Sequence, residues 1–254
     1  MTTSSTTSSS TTPSAALIEA QALVKAYDLL PVLRKLDFSV QRGEFVALLG
    51  PNGAGKSTFL RLLCGLSRPT AGTLRVGGWE LPKEAHAVRG QIGLVSHKSL
   101  LYETLSAREN LIYFSRMYNI PAAEAAKRIP DILGQVGLGK RAHDLVRTFS
   151  RGMLQRLSIA RALLHNPDIL LLDEPYTGLD QDASAVLDGL LRDAHSGGRT
   201  IVMTTHDLPR AAVLAQRVAI LSRGVIAYDQ PTTDLDPLKL STIYTEVTSM
   251  TSAR

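Results

Sequence analysis

An α/β fold with a parallel sheet buried on both faces is what this sequence predicts, on three observations. Short aliphatic runs of strand length recur at residues 17–24, 36–40, 45–49, 74–76, 92–95, 169–173, 201–204 and 218–221. One of them, Ile169-Leu170-Leu171-Leu172, is continuously apolar instead of alternating, as a strand covered on both faces must be. Another, residues 45–49, runs straight into a glycine-rich loop.

In chain order, residues 1–15 are Ser/Thr-rich and uncharged, which predicts a disordered tail. Gly77-Gly78 suits a tight hairpin after the strand at 74–76, and Arg223-Gly224 suits another between 218–221 and 225–228. Between residues 100 and 151 the texture changes. Leu111, Phe114, Met117 and Tyr118 recur at helical spacing, residues 122–129 are alanine-rich, and Pro121 and Pro130 are expected to break the region into separate helices. On periodicity alone these helices suit either a separate subdomain or a cover for the sheet. Residues 241–254 are Ser/Thr-rich and weakly patterned, predicting a C-terminal tail.

Composition narrows the classes. With 254 residues, 44% hydrophobic and 20% charged, the chain has material for a large core. No apolar run is long enough to cross a bilayer, and no secretion signal is visible. Cys64 is the single cysteine, which excludes an internal disulfide and predicts a cytosolic chain. The formal charge is +5, but Lys and Arg are scattered, so no nucleic-acid partner is expected.

Gly50, Pro51, Asn52, Gly53, Ala54, Gly55, Lys56, Ser57 and Thr58 fit the phosphate-loop pattern G-x-x-x-x-G-K-[S/T]. The glycines let backbone N–H groups ring the phosphates of a nucleotide, and a helix starting near Lys56 adds its positive end. Lys56 can reach the outer phosphates and Ser57 can ligate Mg²⁺. The apolar run at 169–172 ends in Asp173 and Glu174, beyond the carboxyl end of a parallel strand, where ligands of such sheets sit. Asp173 is suited to hold Mg²⁺ and Glu174 to polarise an attacking water. A nucleoside triphosphate and Mg²⁺ are the cofactors this pattern calls for.

The order of motifs resembles the nucleotide-binding subunit of ATP-binding cassette (ABC) transporters over nearly the whole chain. Residues 148–156, Thr-Phe-Ser-Arg-Gly-Met-Leu-Gln-Arg, stand where that family keeps its signature motif; residues 176–180 resemble its D-loop; His206 resembles its switch histidine; Tyr27 stands where it keeps an aromatic that stacks on adenine. The resemblance implies an ATPase cassette at 16–240: a RecA-like P-loop core, an antiparallel β subdomain and a helical subdomain at about 98–155. It also implies that Tyr27, Ser150, Gly152 and Asp180 join the phosphate loop in binding ATP. Glu174, His206 and His97 would serve hydrolysis. Two cassettes would sandwich two ATP molecules head to tail, on the cytoplasmic face of the membrane, bound to a transmembrane permease that docks along residues 100–118.

Two positions depart from the family pattern. The signature reads Phe149-Ser150-Arg151-Gly152-Met153 where Leu-Ser-Gly-Gly-Gln is usual, and His97 stands where most cassettes have a glutamine. Imidazole is a poor substitute ligand for Mg²⁺, so His97 is expected to act through water or as a coupling contact. With the surrounding segment 95–105, these features are similar to the ATP-binding subunit of the haem exporter of cytochrome c biogenesis. That likeness implies haem export, or release of a haem chaperone. A multidrug or other small-solute exporter is the alternative, and a non-transport cassette such as an iron–sulfur assembly ATPase is a third.

Overall fold

Alternation of side chains along strands explains how one sheet can bury both of its faces. In the computed structural model, which describes residues 16–96, 98–233 and 235–250, the chain runs β1 (Ile18–Tyr27), β2 (Leu30–Val40), β3 (Phe45–Leu49), α1 (Lys56–Leu63), β4 (Ala71–Val76), β5 (Trp79–Leu81), α2 (Ala85–Arg89) and β6 (Ile92–Val95). It continues through α3 (Ala107–Met117), α4 (Ala122–Gln135), α5 (Arg151–Leu163), β7 (Ile169–Asp173), α6 (Gln181–Ser196), β8 (Thr200–Thr204), α7 (Leu208–Leu214), β9 (Arg217–Ser222), β10 (Val225–Pro231) and α8 (Pro237–Met250).

Strands β2-β1-β4-β5 form an antiparallel sheet, and β10-β9-β3-β8-β7-β6 form a second sheet, parallel except for the β9–β10 hairpin. Val46, Leu48, Leu171, Val202 and Ala219 turn one face of the parallel sheet toward α1 and the antiparallel sheet. Phe45, Ala47, Leu170, Leu172, Ile201 and Met203 turn the other toward α5, α6, α7 and α8. A third core, within α3, α4 and α5, contains Leu111, Ile129, Leu133 and Leu157. Helix α5 joins the regions, since Leu157 and Ala160 belong to that core while Ile159 and Ala162 pack on the sheet. Truncating one of the fully buried leucines, such as Leu171→Ala, costs about 2–5 kcal/mol by loss of contacts and cavity formation.

Three expectations are corrected. Pro130 does not break the helical region: it lies inside α4, on an exposed position, while Ala125, Ile129, Ile132 and Leu133 anchor the opposite face. Burial of that stripe offsets the lost backbone bond. Residues 241–250 are not a tail but belong to α8, which seats Leu240, Ile243, Tyr244 and Val247 at helical spacing against the core. The Ser/Thr-rich polar face hides that stripe in the sequence. Strand β2 also begins at Leu30, earlier than the run at 36–40, because Tyr27 pairs with Leu30 across a tight turn with Asp28 at φ 51°. The segments 1–15 and 251–254 of the expected tails, and His97, lie outside the described residues.

Candidate active site

The phosphate loop leaves β3 at its carboxyl end and enters α1 directly. Two of its glycines are required by geometry. Gly50 has φ 150°, and a Cβ there would stand 2.2 Å from the Leu221 carbonyl oxygen; Gly55 has φ 110°, with Leu33 Cδ2 2.8 Å from such a Cβ. Gly55 is also the N-cap of α1, without a side chain to cap the helix, and the first turn holds no acidic residue. The leading N–H groups of α1 are thus left for an anion. Lys56 is buried and its Nζ donates to the Gly50 carbonyl at 2.6 Å and the Pro51 carbonyl at 3.4 Å. Burial pushes its ammonium below the ordinary lysine value, and the Glu174 and Asp173 carboxylates pull it back up.

The strand-end carboxylates meet this loop. Ser57 Oγ donates to Asp173 Oδ1 at 3.1 Å, joining the start of α1 to the end of β7. Thr204, at the end of β8, donates its hydroxyl to the same Asp173 oxygen at 2.8 Å, and accepts from the Glu174 N–H at 3.1 Å. Glu174 holds φ 50°, a left-handed conformation that costs a non-glycine residue of order 1 kcal/mol or more. Besides Thr204, a neighbouring bond helps hold it: Gln155 of α5 donates to the Pro175 carbonyl at 2.9 Å. The Glu174 carboxylate lies between two cations or donors, with Oε2 2.8 Å from His206 Nδ1 and Oε1 3.8 Å from Lys56 Nζ. A carboxylate accepts, so Nδ1 carries the proton in this contact. The phosphate loop, Val32 and Glu174 line one cavity of about 360 Å³.

Other residues named from the sequence lie at varying distance from this cluster. Ser150 caps α5, its Oγ accepting from Met153 N–H at 3.3 Å, and Gly152 faces Leu179 of the following loop. Asp180 caps α6 through a 2.8 Å bond from Ala183 N–H. None of the three lines the cavity of the phosphate loop. Tyr27 is exposed at the tip of β1, with Lys25 Nζ 4.6 Å from its ring centroid; the residue of the antiparallel sheet that lines the phosphate cavity is Val32. Sequence reading missed Val32, Thr204 and Gln155. Thr204 had a signal, a hydroxyl ending an apolar strand two residues before His206, and Gln155 stood inside the signature segment without a role of its own.

The family described as ABC transporter matches residues 33–177. The linearmycin resistance ATP-binding protein of Bacillus subtilis is 36% identical over 219 residues, 86% of this chain and 70% of the relative. Nod factor export ATP-binding protein I of Ralstonia nicotianae is 40% identical over 211 residues, 83% of this chain and 66% of the relative. Among solved structures, an ATP-binding subunit of an ABC transporter is 30% identical with TM-score 0.83, covering 90% of this chain and 99% of that one. A dimeric cassette in a post-hydrolysis state with ADP and phosphate is 28% identical with TM-score 0.79, covering 86% and 100%. Fold and phosphate loop together define a P-loop nucleoside triphosphatase built as a cassette. The chain belongs to the ABC transporter family, as an ATP-binding subunit that hydrolyses ATP. The relatives named above are labelled for Nod factor export and linearmycin resistance, so the narrower haem-export expectation gains no support from them.

Proposed function

We propose that this chain is the motor of an exporter for a small organic molecule, seated through a permease on the cytoplasmic face of a membrane and working as an ATP-bound pair of cassettes. The observation that carries the catalytic part is the Glu174 carboxylate held between His206 and Lys56 at the mouth of the phosphate loop. Lys56 and the N–H groups of residues 53–58 grip the phosphates. Glu174 takes the proton of the attacking water, and His206 orients Glu174 and can turn to the outer phosphate. The hard oxygens of Ser57 and Asp173, 3.1 Å apart, suit Mg²⁺. That ion, when bound, neutralises phosphate charge. Tyr27 stacks on the base, while Ser150, Gly152 and Asp180, which do not line this chain's own phosphate cavity, face the nucleotide held by the second cassette.

The permease reading is supported by a groove of about 590 Å³ beside α3, lined by Leu66, Leu100, Leu101, Tyr102, Phe114 and Met117. It overlaps the docking segment expected at 100–118. The names of the relatives favour an exported organic molecule over haem. The test is Glu174→Gln in the native host. Tolerance to antibiotics such as linearmycin should fall while covalent haem in c-type cytochromes is unchanged; selective loss of c-type haem would overturn the exporter reading in favour of cytochrome maturation.

A further inference from the structure

Glu174 and His206 touch at 2.8 Å, yet they stand on separate strand ends 32 residues apart, and His206 is mostly exposed. Pairing of β7 with β8 and the bonds from the Glu174 N–H to Thr204 fix the strand ends, but the peptide of His206 lies two residues beyond Thr204 and needs a support of its own. Close behind them lies a closed network of four side chains from three elements. The Tyr176 hydroxyl, two residues past Glu174, donates to Asp188 Oδ1 of α6 at 2.6 Å. Arg210 Nε of α7 donates to the same Asp188 oxygen at 3.1 Å. Its other arm donates to Asp207 Oδ2 at 2.9 Å, and Asp207, the residue after His206, caps α7 by accepting from Arg210 N–H at 3.0 Å. The Arg210 guanidinium also lies 4.2 Å from the Tyr176 ring centroid, a cation–π contact. Asp207 N–H donates to buried Thr205 on the other side of His206.

We propose that Arg210 is a positioning residue for ATP hydrolysis: by joining Tyr176, Asp188 and Asp207 it sets the peptide of His206 against the peptide of Glu174. The proposal rests on the roles given above to those two side chains. The geometry has one hub. Without Arg210 the Asp188 and Asp207 carboxylates lose the cation between them, and the Tyr176 ring loses the plane it stacks on. Burial and Asp188 hold the Tyr176 phenol far above its usual range, so it stays a donor and cannot compensate by ionising. None of the four side chains lines the phosphate-loop cavity, so ATP affinity should be spared while the reacting geometry loosens.

The experiment is a double-mutant cycle on the full chain, read by single-turnover hydrolysis with enzyme in excess over labelled ATP, so that slow variants still give a rate. Arg210→Met should lower the hydrolysis rate about tenfold, with the KM for ATP within about twofold. Arg210→Lys, which cannot hold both carboxylates in one fork, should fall between. In a His206→Ala background Arg210→Met should cost little more, because the group it positions is gone. An equal loss in both backgrounds would make Arg210 a scaffold residue and overturn the proposal, as would full activity of Arg210→Met. If His206→Ala alone keeps the full rate, the role given to His206 fails instead. Should Arg210→Met not fold, Arg210→Lys and Tyr176→Phe enter the same cycle and are judged by the same rule.

Discussion

The carboxyl end of the parallel sheet and the groove beside α3 both open to solvent, but they are built on opposite terms. At the sheet end, Lys56, Ser57, Asp173, Glu174, Thr204 and His206 each have a named partner within 4 Å. In the groove, Leu100 is 50% and Met117 63% exposed, and the polar side chains that line or flank it, Arg89, Arg161 and Asn110, are turned to backbone groups such as the Gly65, Leu94 and Tyr102 carbonyls. The difference matches what each would meet under the proposed function. A phosphate in transit needs donors aimed before it arrives, since reorientation during reaction costs rate. A protein partner buried against apolar surface needs area and shape more than direction, since the hydrophobic effect is non-directional.

The largest break in that contrast is Glu174→Gln. Removing the proposed base should lower ATP hydrolysis by about 10²–10⁴-fold while leaving the groove intact, and gel filtration in ATP should show a stable dimer. A variant that remains monomeric in ATP would sink the paired-cassette mechanism.

Next is Thr204→Val. The hydroxyl there is one of two donors to Asp173 Oδ1, beside Ser57, and one of two acceptors of the Glu174 N–H, beside the Thr204 carbonyl, so its loss weakens both contacts without stranding either group and should destabilise the fold by about 0.5–1.5 kcal/mol. Urea unfolding reads the stability, and hydrolysis should slow as Glu174 drifts.

A pH effect sharpens the boundary between the two regions. His165 stacks on Tyr118 of the groove wall, 3.8 Å between centroids and 9° from parallel, and its Nε2 lies 3.1 Å from the Ile92 carbonyl of β6. Burial pushes its pKa from 6.5 down to about 4, against the bond to Ile92. The unfolded chain takes up the proton below pH 6.5, whereas the fold resists it until about pH 4. The stabilising contribution is therefore complete above 6.5 and shrinks as pH falls toward 4, reaching a loss of about 2 kcal/mol at pH 5. His165→Gln should flatten that part of the pH–stability curve.

The smallest effect on the protein itself belongs to Met117→Glu. On so exposed a site, stability should move by less than about 0.5 kcal/mol and ATPase activity should hold. Binding to the permease should nevertheless be lost in co-purification; retained binding would remove the groove from the interface.

How much was legible depended on how local each feature was. The phosphate loop and the Asp173-Glu174 pair could be read directly, because nine contiguous residues and a strand end carry their own geometry. The correction at α8 arose because Leu240, Ile243, Tyr244 and Val247 are an apolar stripe only once a sheet face exists to receive them. Pro130 misled for a similar reason, its local penalty being outweighed by the buried stripe of α4.

From the sequence alone came the chemistry: a glycine loop with Lys56 and Ser57, a buried strand delivering two carboxylates, and a motif order that belongs to one family. Tertiary structure decided who holds those groups. Thr204 serves Asp173 because the parallel register of β7 and β8 sets those two residues side by side. Gln155 and Val32 reach the site from other elements, and the Arg210 network joins residues beside Glu174 and His206 through Asp188 of α6. Their side chains are ordinary in type and spacing, and only strand register and helix packing turn them toward one another.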